Sequence, residues 1–452
     1  MSEPSDTNGG DINGGISINH SVLNRHAGLN NHSALSNRVV ITGMGLVTPV
    51  GESADAVMSA MCEGRSGLSR PPQDHPLAES LEVAGFAPPI DPTSVLPPPE
   101  TRVVDRYVVM ALKAAADALA DAGLVVGRDV DPFRIAVIVS GTGGLATLED
   151  QVVTRTQRGR LGVSPYLLPG MLPNMGAARI AIKYGIRGYS SSIGTACAAG
   201  AQSIGEATRL LRAGEADVVV CGCSEAPLFP TLADTFANAR ALARGWAQDP
   251  AAASRPFDRR RSGLVLGEGA GIFVLERGEH ADARGAAGYA DIAGWGATND
   301  AHHPTMPDPE GGGAAECIRR ALADARITPG DVGYLNAHGT STKLGDVAEA
   351  RAIRAAFGAR LPPVSSTKAV TGHMLGASGV AESAVTVLAL RRGLLPPTQN
   401  LDDPDPDCEL DHIRKAPRQA QPAYAMSNSF GFGGHNISLV FGQPSTRLVR
   451  EV

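Results

Sequence analysis

The sequence predicts an α/β fold in which one βαβα unit is used twice, and two paired observations carry that expectation. ALADAG at Ala118–Gly123 and ALADAR at Ala321–Arg326 each lead, through a turn region, into a strand that ends in a small polar loop, VSGTGG in one case and LNAHGTST in the other. Cys197 lies 17 residues before Gly214 in RLLRAG, and Gly376 lies 17 before Gly393 in LALRRG. Each of these helices follows a glycine-bearing loop, SSIGTAC and VTGHMLG. Two pairs in the same order point to a duplicated unit. A doubled α/β chain packs sheets between helix layers and collects its loops at the strand ends.

The elements follow in order. Residues 1–37 are rich in Asn, Gly and Ser, with too few apolar residues to bury, so a disordered tail is expected. His20, His26 and His32 recur there at six-residue intervals, but no acidic or thiol ligand accompanies them, which argues against a metal site. Order begins at Arg38–Thr42, a short β-branched run ending in glycines, which predicts a buried strand. A Pro-rich connection spans Pro71–Pro99, followed by a helix from about Arg102 to Ala122 and the strand RIAVIVS. An Ala/Ile-rich stretch with helical spacing follows Cys197, and ADVVV then predicts another buried strand, with Cys221 and Cys223 at its end. The last apolar strand comes after the glycine-dense SNSFGFGGHN. The two halves are expected at 38–285 and 286–452.

Composition bounds the function. The 452 residues are 43% hydrophobic and 19% charged, as in a globular protein with a large core. A net charge of −6 without a basic block does not indicate a nucleic-acid partner. The six cysteines (62, 197, 221, 223, 317 and 408) have neither metal spacing nor a disulfide-like framework. No apolar run could span a bilayer and no secretory signal is visible, so a reduced, cytoplasmic setting is expected.

Cys197 falls where an extended segment turns into a helix. Free N–H groups and the helix dipole favour an anion there, which predicts a lowered thiol pKa and a nucleophile. A small buried cysteine is the structural alternative. His338 follows a strand beside Gly339, Thr340 and Thr342, and His373 precedes the second-half helix with Lys368 five residues earlier. Two histidines in small-residue loops together with a helix-start cysteine suggest a catalytic group. The loop Ser427–Asn436 lacks the Lys-Ser/Thr ending of a P-loop, but its glycines would let backbone N–H groups approach a reacting carbonyl.

TACAAG, NAHGTSTKLGD, SSTKAVTGHMLGASG and NSFGFGGHN, in this order and spacing, resemble the β-ketoacyl-acyl-carrier-protein synthases, both the synthase II type and the ketosynthases of type II polyketide pathways. The resemblance covers roughly residues 38–443 and includes ASRPFDRRRSGLVLGEGAG. It implies the thiolase fold in five αβαβα layers, a dimer, no metal or organic cofactor, and acyl carrier protein as partner. The dimer would be a homodimer, or a heterodimer with a ketosynthase-like chain-length subunit. The implied activity is decarboxylative condensation of an acyl group on Cys197 with malonyl carrier protein. His338 and His373 would hold the enolate, with Lys368 and Glu349 as a charged pair orienting them. The N–H groups of Cys197 and Phe430 would form the oxyanion hole, and Phe430 would gate the acyl pocket. Thr340 and Thr342 would bind the pantetheine arm, Phe432, Phe236 and Thr142 would line the substrate path, and His303 and Thr305 would lie near the malonyl group. Arg240 would meet the carrier protein.

The chain departs from the family at His435, where Thr is usual, and at Lys343, which is more like the polyketide enzymes. A non-catalytic chain-length subunit would lack the cysteine. An acyl-CoA thiolase would carry a second cysteine near the C-terminus, where this chain has GFGG.

Overall fold

The computed structural model describes residues 37–101, 104–445 and 448–449. Residues 1–36 of the expected tail, its three histidines and the predicted helix start at Arg102 lie outside these residues. The first strand among the described residues is β1 (Val39–Val47), buried along its whole length. Helix α1 (Arg106–Ala122) starts where the Asp105 side chain accepts the Tyr107 N–H and stops at Gly123, whose φ is 61°. Among the further elements of the first half are, in order, β2 (Ile135–Ser140), α2 (Met175–Tyr184), β3 (Ser190–Ser191), α3 (Ala199–Arg212), β4 (Val218–Glu225) and β5 (Gly269–Arg277), with additional helices such as Ala54–Glu63, Leu145–Arg158 and Pro230–Asn238 around them.

The second half repeats this order with β6 (Ala290–Asn299), α4 (Gly312–Ala325), β7 (Val332–Asn336), α5 (Lys343–Phe357), β8 (Pro363–Ser365), α6 (Gly376–Arg392), β9 (Tyr424–Gly431) and β10 (His435–Gly442). The duplicated unit is therefore longer than βαβα: it is βαβαβαββ. ALADAG and ALADAR both end helices, Gly123 at φ 61° and Arg326 at φ 56° taking the left-handed cap. Cys221 and Cys223 are fully buried within β4 rather than at its end.

Sheet order states the duplication in space. The strands run β8-β7-β9-β10-β6-β1-β5-β4-β2-β3, with the short Asp411–His412 strand beyond β8. Reading outward from the antiparallel β1–β6 contact, both halves have the same strand order and the same parallel and antiparallel pairings.

Helices α3 and α6 pack on each other and on strands of both halves, so they form the middle layer. Helix α1 covers β1, β4 and β5 from outside, and α4 covers β6 and β10. These are the five layers of the thiolase fold. Helix α6 buries every residue from Gly376 to Leu390, as a helix sandwiched between two sheets must.

Candidate active site

The first turns of the two central helices meet, and the functional groups gather there. A single 3₁₀ turn, Ala196–Ala198, carries Cys197 into α3. Ala196 before it has φ 48°, and Leu375, at the equivalent place before α6, has φ 46°. Left-handed backbone at non-glycine residues is strained and persists only where packing enforces it. Here it occurs at both repeats, so the elbow that presents Cys197 belongs to the duplicated fold. Gly200, three residues on, supplies the close approach: a Cβ there would run into the Gly376 carbonyl oxygen.

Cys197 is 7% exposed and lies in an apolar cluster with Phe236, Leu242, Leu266 and Leu375. The expected low thiol pKa is corrected by this burial, which pushes the thiol up to about 12. Lys368 and the N–H groups of Phe432 and of Cys197 itself pull it down without prevailing. The resting group is a protonated thiol.

His338 and His373 face each other edge to face, ring centroids 5.4 Å apart. Burial, then the Lys368 charge, hold both well below the usual imidazole range, so both are neutral. Their tautomers follow from their partners. Lys368 Nζ, which can only donate, lies 3.4 Å from His338 Nδ1. Ser378 Oγ already accepts the Met374 N–H and lies 3.3 Å from His373 Nδ1, where its hydroxyl proton can go. His338 therefore keeps its proton on Nε2, and the Ser378 hydroxyl can hold His373 in the same tautomer by donating to its Nδ1.

The expected Lys368–Glu349 pair is not formed. Lys368 Nζ pairs with Glu382 of α6, both side chains almost fully buried, and also donates to the His338 carbonyl at 2.6 Å. Glu349, raised to about 7 by burial, instead accepts the backbone N–H groups of His338 (2.8 Å) and Gly339 (2.7 Å). It shapes the His338 loop, while Glu382 supplies the countercharge. A lone carboxylate in the apolar run GASGVAESAVTVLAL was the sequence signal for that partner.

The oxyanion-hole expectation also shifts by two residues. Phe430 lies in the β9–β10 ladder opposite Asn436, its ring beside His338 and packed on Ala314, Ala315 and Ala352. The N–H that reaches the Cys197 sulfur belongs to Phe432, past the strand end. The Phe432 ring, 44% exposed, stacks on Phe236 with centroids 6.2 Å apart.

The remaining candidates divide. The hydroxyls of Thr340 and Thr342 are 2.9 Å apart just beyond His338. His303 and Thr305 lie exposed on a loop whose Pro304 carbonyl accepts the Gly433 N–H, so that loop docks on the glycine turn. The His435 ring lies against Gly433 in the same turn. Thr142 is exposed in the single chain, and its N–H and hydroxyl both go to the buried Glu225 carboxylate. Lys343 is exposed at the first turn of α5. Arg240, also exposed, borders a groove of about 600 Å³ with Ala237, Asn238, Leu242, Arg244 and Ser262. Leu242 joins that groove to the cluster around Cys197. Among the described residues no helix is long and apolar enough to cross a membrane, and no three His, Cys, Asp or Glu side chains form a metal-binding group.

Known proteins share this fold and much of this sequence. The family model for the β-ketoacyl synthase N-terminal domain matches residues 36–281, and that for the C-terminal domain matches 289–402. The chain is 42% identical over 401 residues to a 3-oxoacyl-[acyl-carrier-protein] synthase 2 of Synechocystis sp., covering 88% of this chain and 96% of that one. It is 41% identical over 400 residues to the synthase 2 of Staphylococcus aureus strain N315, covering 88% and 96%. Among solved structures, a type II PKS ketosynthase in complex with its acyl-carrier protein and bound to the hexaketide superposes with a TM-score of 0.83 at 32% identity, over 90% of this chain and 99% of that one. A β-ketoacyl synthase from Burkholderia phymatum gives 0.83 at 36%, over the same shares.

Proposed function

This chain belongs to the β-ketoacyl synthase family, and from that premise we propose that it joins an acyl group held on Cys197 to malonyl carrier protein, releasing CO₂ and a 3-oxoacyl carrier protein. The observation that carries the reading is the pair of buried neutral histidines, each with its Nδ1 facing a group that can donate to it, which leaves Nε2–H for the substrate, under the same cation that acts on the Cys197 thiol.

The reaction divides into two half-reactions. Cys197 sulfur attacks the carbonyl of an acyl thioester while the N–H groups of Cys197 and Phe432 hold the oxyanion. The C–S bond to pantetheine breaks, the thiol proton leaves Cys197, and the departing pantetheine sulfur takes up a proton. Malonyl carrier protein then loses CO₂: the C–C bond breaks, its electrons pass to the enolate oxygen, and the two Nε2–H groups stabilise that charge. The enolate carbon attacks the Cys197 thioester, the C–S bond breaks, and the released sulfur takes a proton from solvent. Neither imidazole need act as a strong base, and substrates arrive on carrier phosphopantetheine with no metal or organic cofactor.

Thr340 and Thr342 line the path of the pantetheine arm, Phe432 and Phe236 gate the acyl chain, and Arg240 receives the acidic carrier protein. His303 and Thr305 serve the malonyl side. Identity to the synthase 2 relatives exceeds that to the polyketide ketosynthase, which supports fatty-acyl elongation. Mass spectrometry of products from a panel of acyl and malonyl carrier proteins tests that choice. Replacing His338 or His373 by Ala should lower CO₂ release by roughly 10²-fold or more, as loss of one oxyanion donor does elsewhere, while acyl transfer to Cys197 persists in part. Wild-type CO₂ release from both variants would refute the assignment.

The same fold leaves an association surface. Leu148, Val152, Val153, Leu161, Tyr166, Leu168 and Leu172 are exposed on the segment between β2 and α2, in the half whose outermost strand is β3. A second copy of this chain covers them, pairing β3 with β3; a ketosynthase-like chain-length subunit is the alternative occupant.

A further inference from the structure

Behind the nucleophile lies a buried carboxyl that neither half-reaction uses. Glu225 ends β4 and is 1% exposed. Its Oε2 accepts the Thr142 N–H at 3.1 Å and the Thr142 hydroxyl at 2.7 Å. The carboxyl also accepts the N–H of Gly376, the first residue of α6, and the Cys223 sulfur lies 3.9 Å from Oε1. Gly376 is the repeat counterpart of Cys197. The duplication therefore makes two helix starts that favour an anion: one presents a thiol to substrate, and the other takes a carboxyl from the chain itself.

We propose that Glu225 is a positioning residue of the condensing site, tying the loop at Thr142 to the first turn of α6 and setting the field in which Cys197 loses its proton. The proposal rests on the reading of Cys197 as the nucleophile. The groups that feel this carboxyl are Cys223 on its own strand, Cys197 at the start of α3, and Tyr107 on α1, which also faces Asp105. Lys368 acts on Cys197 from the second half and opposes it. Burial raises Glu225 to about 7, and the Thr142 and Gly376 donors restrain the rise. Below that pH the carboxyl is neutral and leaves the thiol alone. Above it, its negative charge makes the thiol harder to ionise.

A plot of log rate against pH for iodoacetamide alkylation of Cys197, followed by peptide mass spectrometry from pH 5.5 to 9, reads this coupling. The wild type should bend downward near pH 7. Glu225→Gln keeps the size and one acceptor but removes the charge, so its profile should be straight. Above the bend it should exceed the wild type about threefold or more, the change in thiolate fraction for half a pKa unit. Thr142→Val removes a donor to the carboxylate and should move the bend to higher pH; this exposed substitution decides the matter if the Gln variant does not fold. A straight wild-type profile overturns the proposal, as does a bend unmoved by Thr142→Val. A bend retained in Glu225→Gln also overturns it and assigns the bend to Glu349, which titrates in the same range. Acyl transfer from an acyl carrier protein, mapped on the same proteins, separates the two readings. An acyl group on another residue fails the nucleophile, whereas a straight profile with Cys197 acylated fails Glu225 alone.

Discussion

Lys368 is fully buried, and its charge acts on Cys197, His338 and His373 together. It draws the thiol down, adds to the burial that keeps both imidazoles neutral, and fixes the His338 tautomer. Such a charge is tolerated in the interior because Glu382 answers it from α6. Removing one partner leaves the other unpaired, so Glu382→Ala should destabilise the protein by about 3–5 kcal/mol in urea unfolding. The double variant Lys368→Met with Glu382→Leu should recover most of that stability. It should still fail to release CO₂, since His338 Nδ1 has lost its donor. Recovery of stability and decarboxylation together would show that the pair serves packing alone. At this scale residue types were more legible than partners. Cys197, His338, His373 and Lys368 announce themselves by their small-residue loops, but Glu349 stands only 11 residues past His338 and attracts the pairing that Glu382 makes. Phe430 and Phe432 look equivalent in a period-2 strand. The strand ends at Gly431 between them, so only the second turns its N–H to the sulfur.

The elements that matter most are the two central helices, and the 17-residue spacing already related them. What that spacing could not give is their mutual contact, because it depends on backbone approach. Gly200 of α3 and Gly379 of α6 hold equivalent positions, and a Cβ at either would press on the other helix's backbone. The short strands β3 and β8 were equally hidden, since two or three residues carry no periodicity and are fixed by their neighbours in the sheet. Gly200→Val should force α3 away from the first turn of α6 and cost about 1–3 kcal/mol, the usual price of overpacking. Because that turn and the Cys197 elbow meet at this crossing, acyl transfer should fall further than the stability loss explains. Thermal unfolding read beside single-turnover acylation of Cys197 checks this; a stable variant with wild-type acylation would show that the crossing does not position the nucleophile.

For the molecule as a whole, the repeat predicted two halves, and their joining through β1 and β6 makes one sheet with two ends. Strand pairing across that distance leaves no local signature, so the layer order comes from tertiary contacts rather than from any segment's own preference. The same geometry explains why association should occur at one end. Among the described residues β3 has no strand partner on its outer side, and the segment between β2 and α2 in the same half carries exposed apolar side chains, with Leu161 at 86%, Leu168 at 61% and Tyr166 at 57% exposure. A lone chain would carry both an open template for strand pairing and a wetted apolar patch. Leu161→Asp combined with Leu168→Asp places two charges where a second copy would desolvate them, at a cost of several kcal/mol in association. Since both side chains are exposed in the single chain, its own fold should be unaffected. Sedimentation velocity should therefore give a dimer for the wild type and a monomer for the double variant, with matching circular dichroism. A wild type that is monomeric until a ketosynthase-like chain-length subunit is added would assign the surface to that partner. A double variant that stays dimeric would place the interface elsewhere on the molecule.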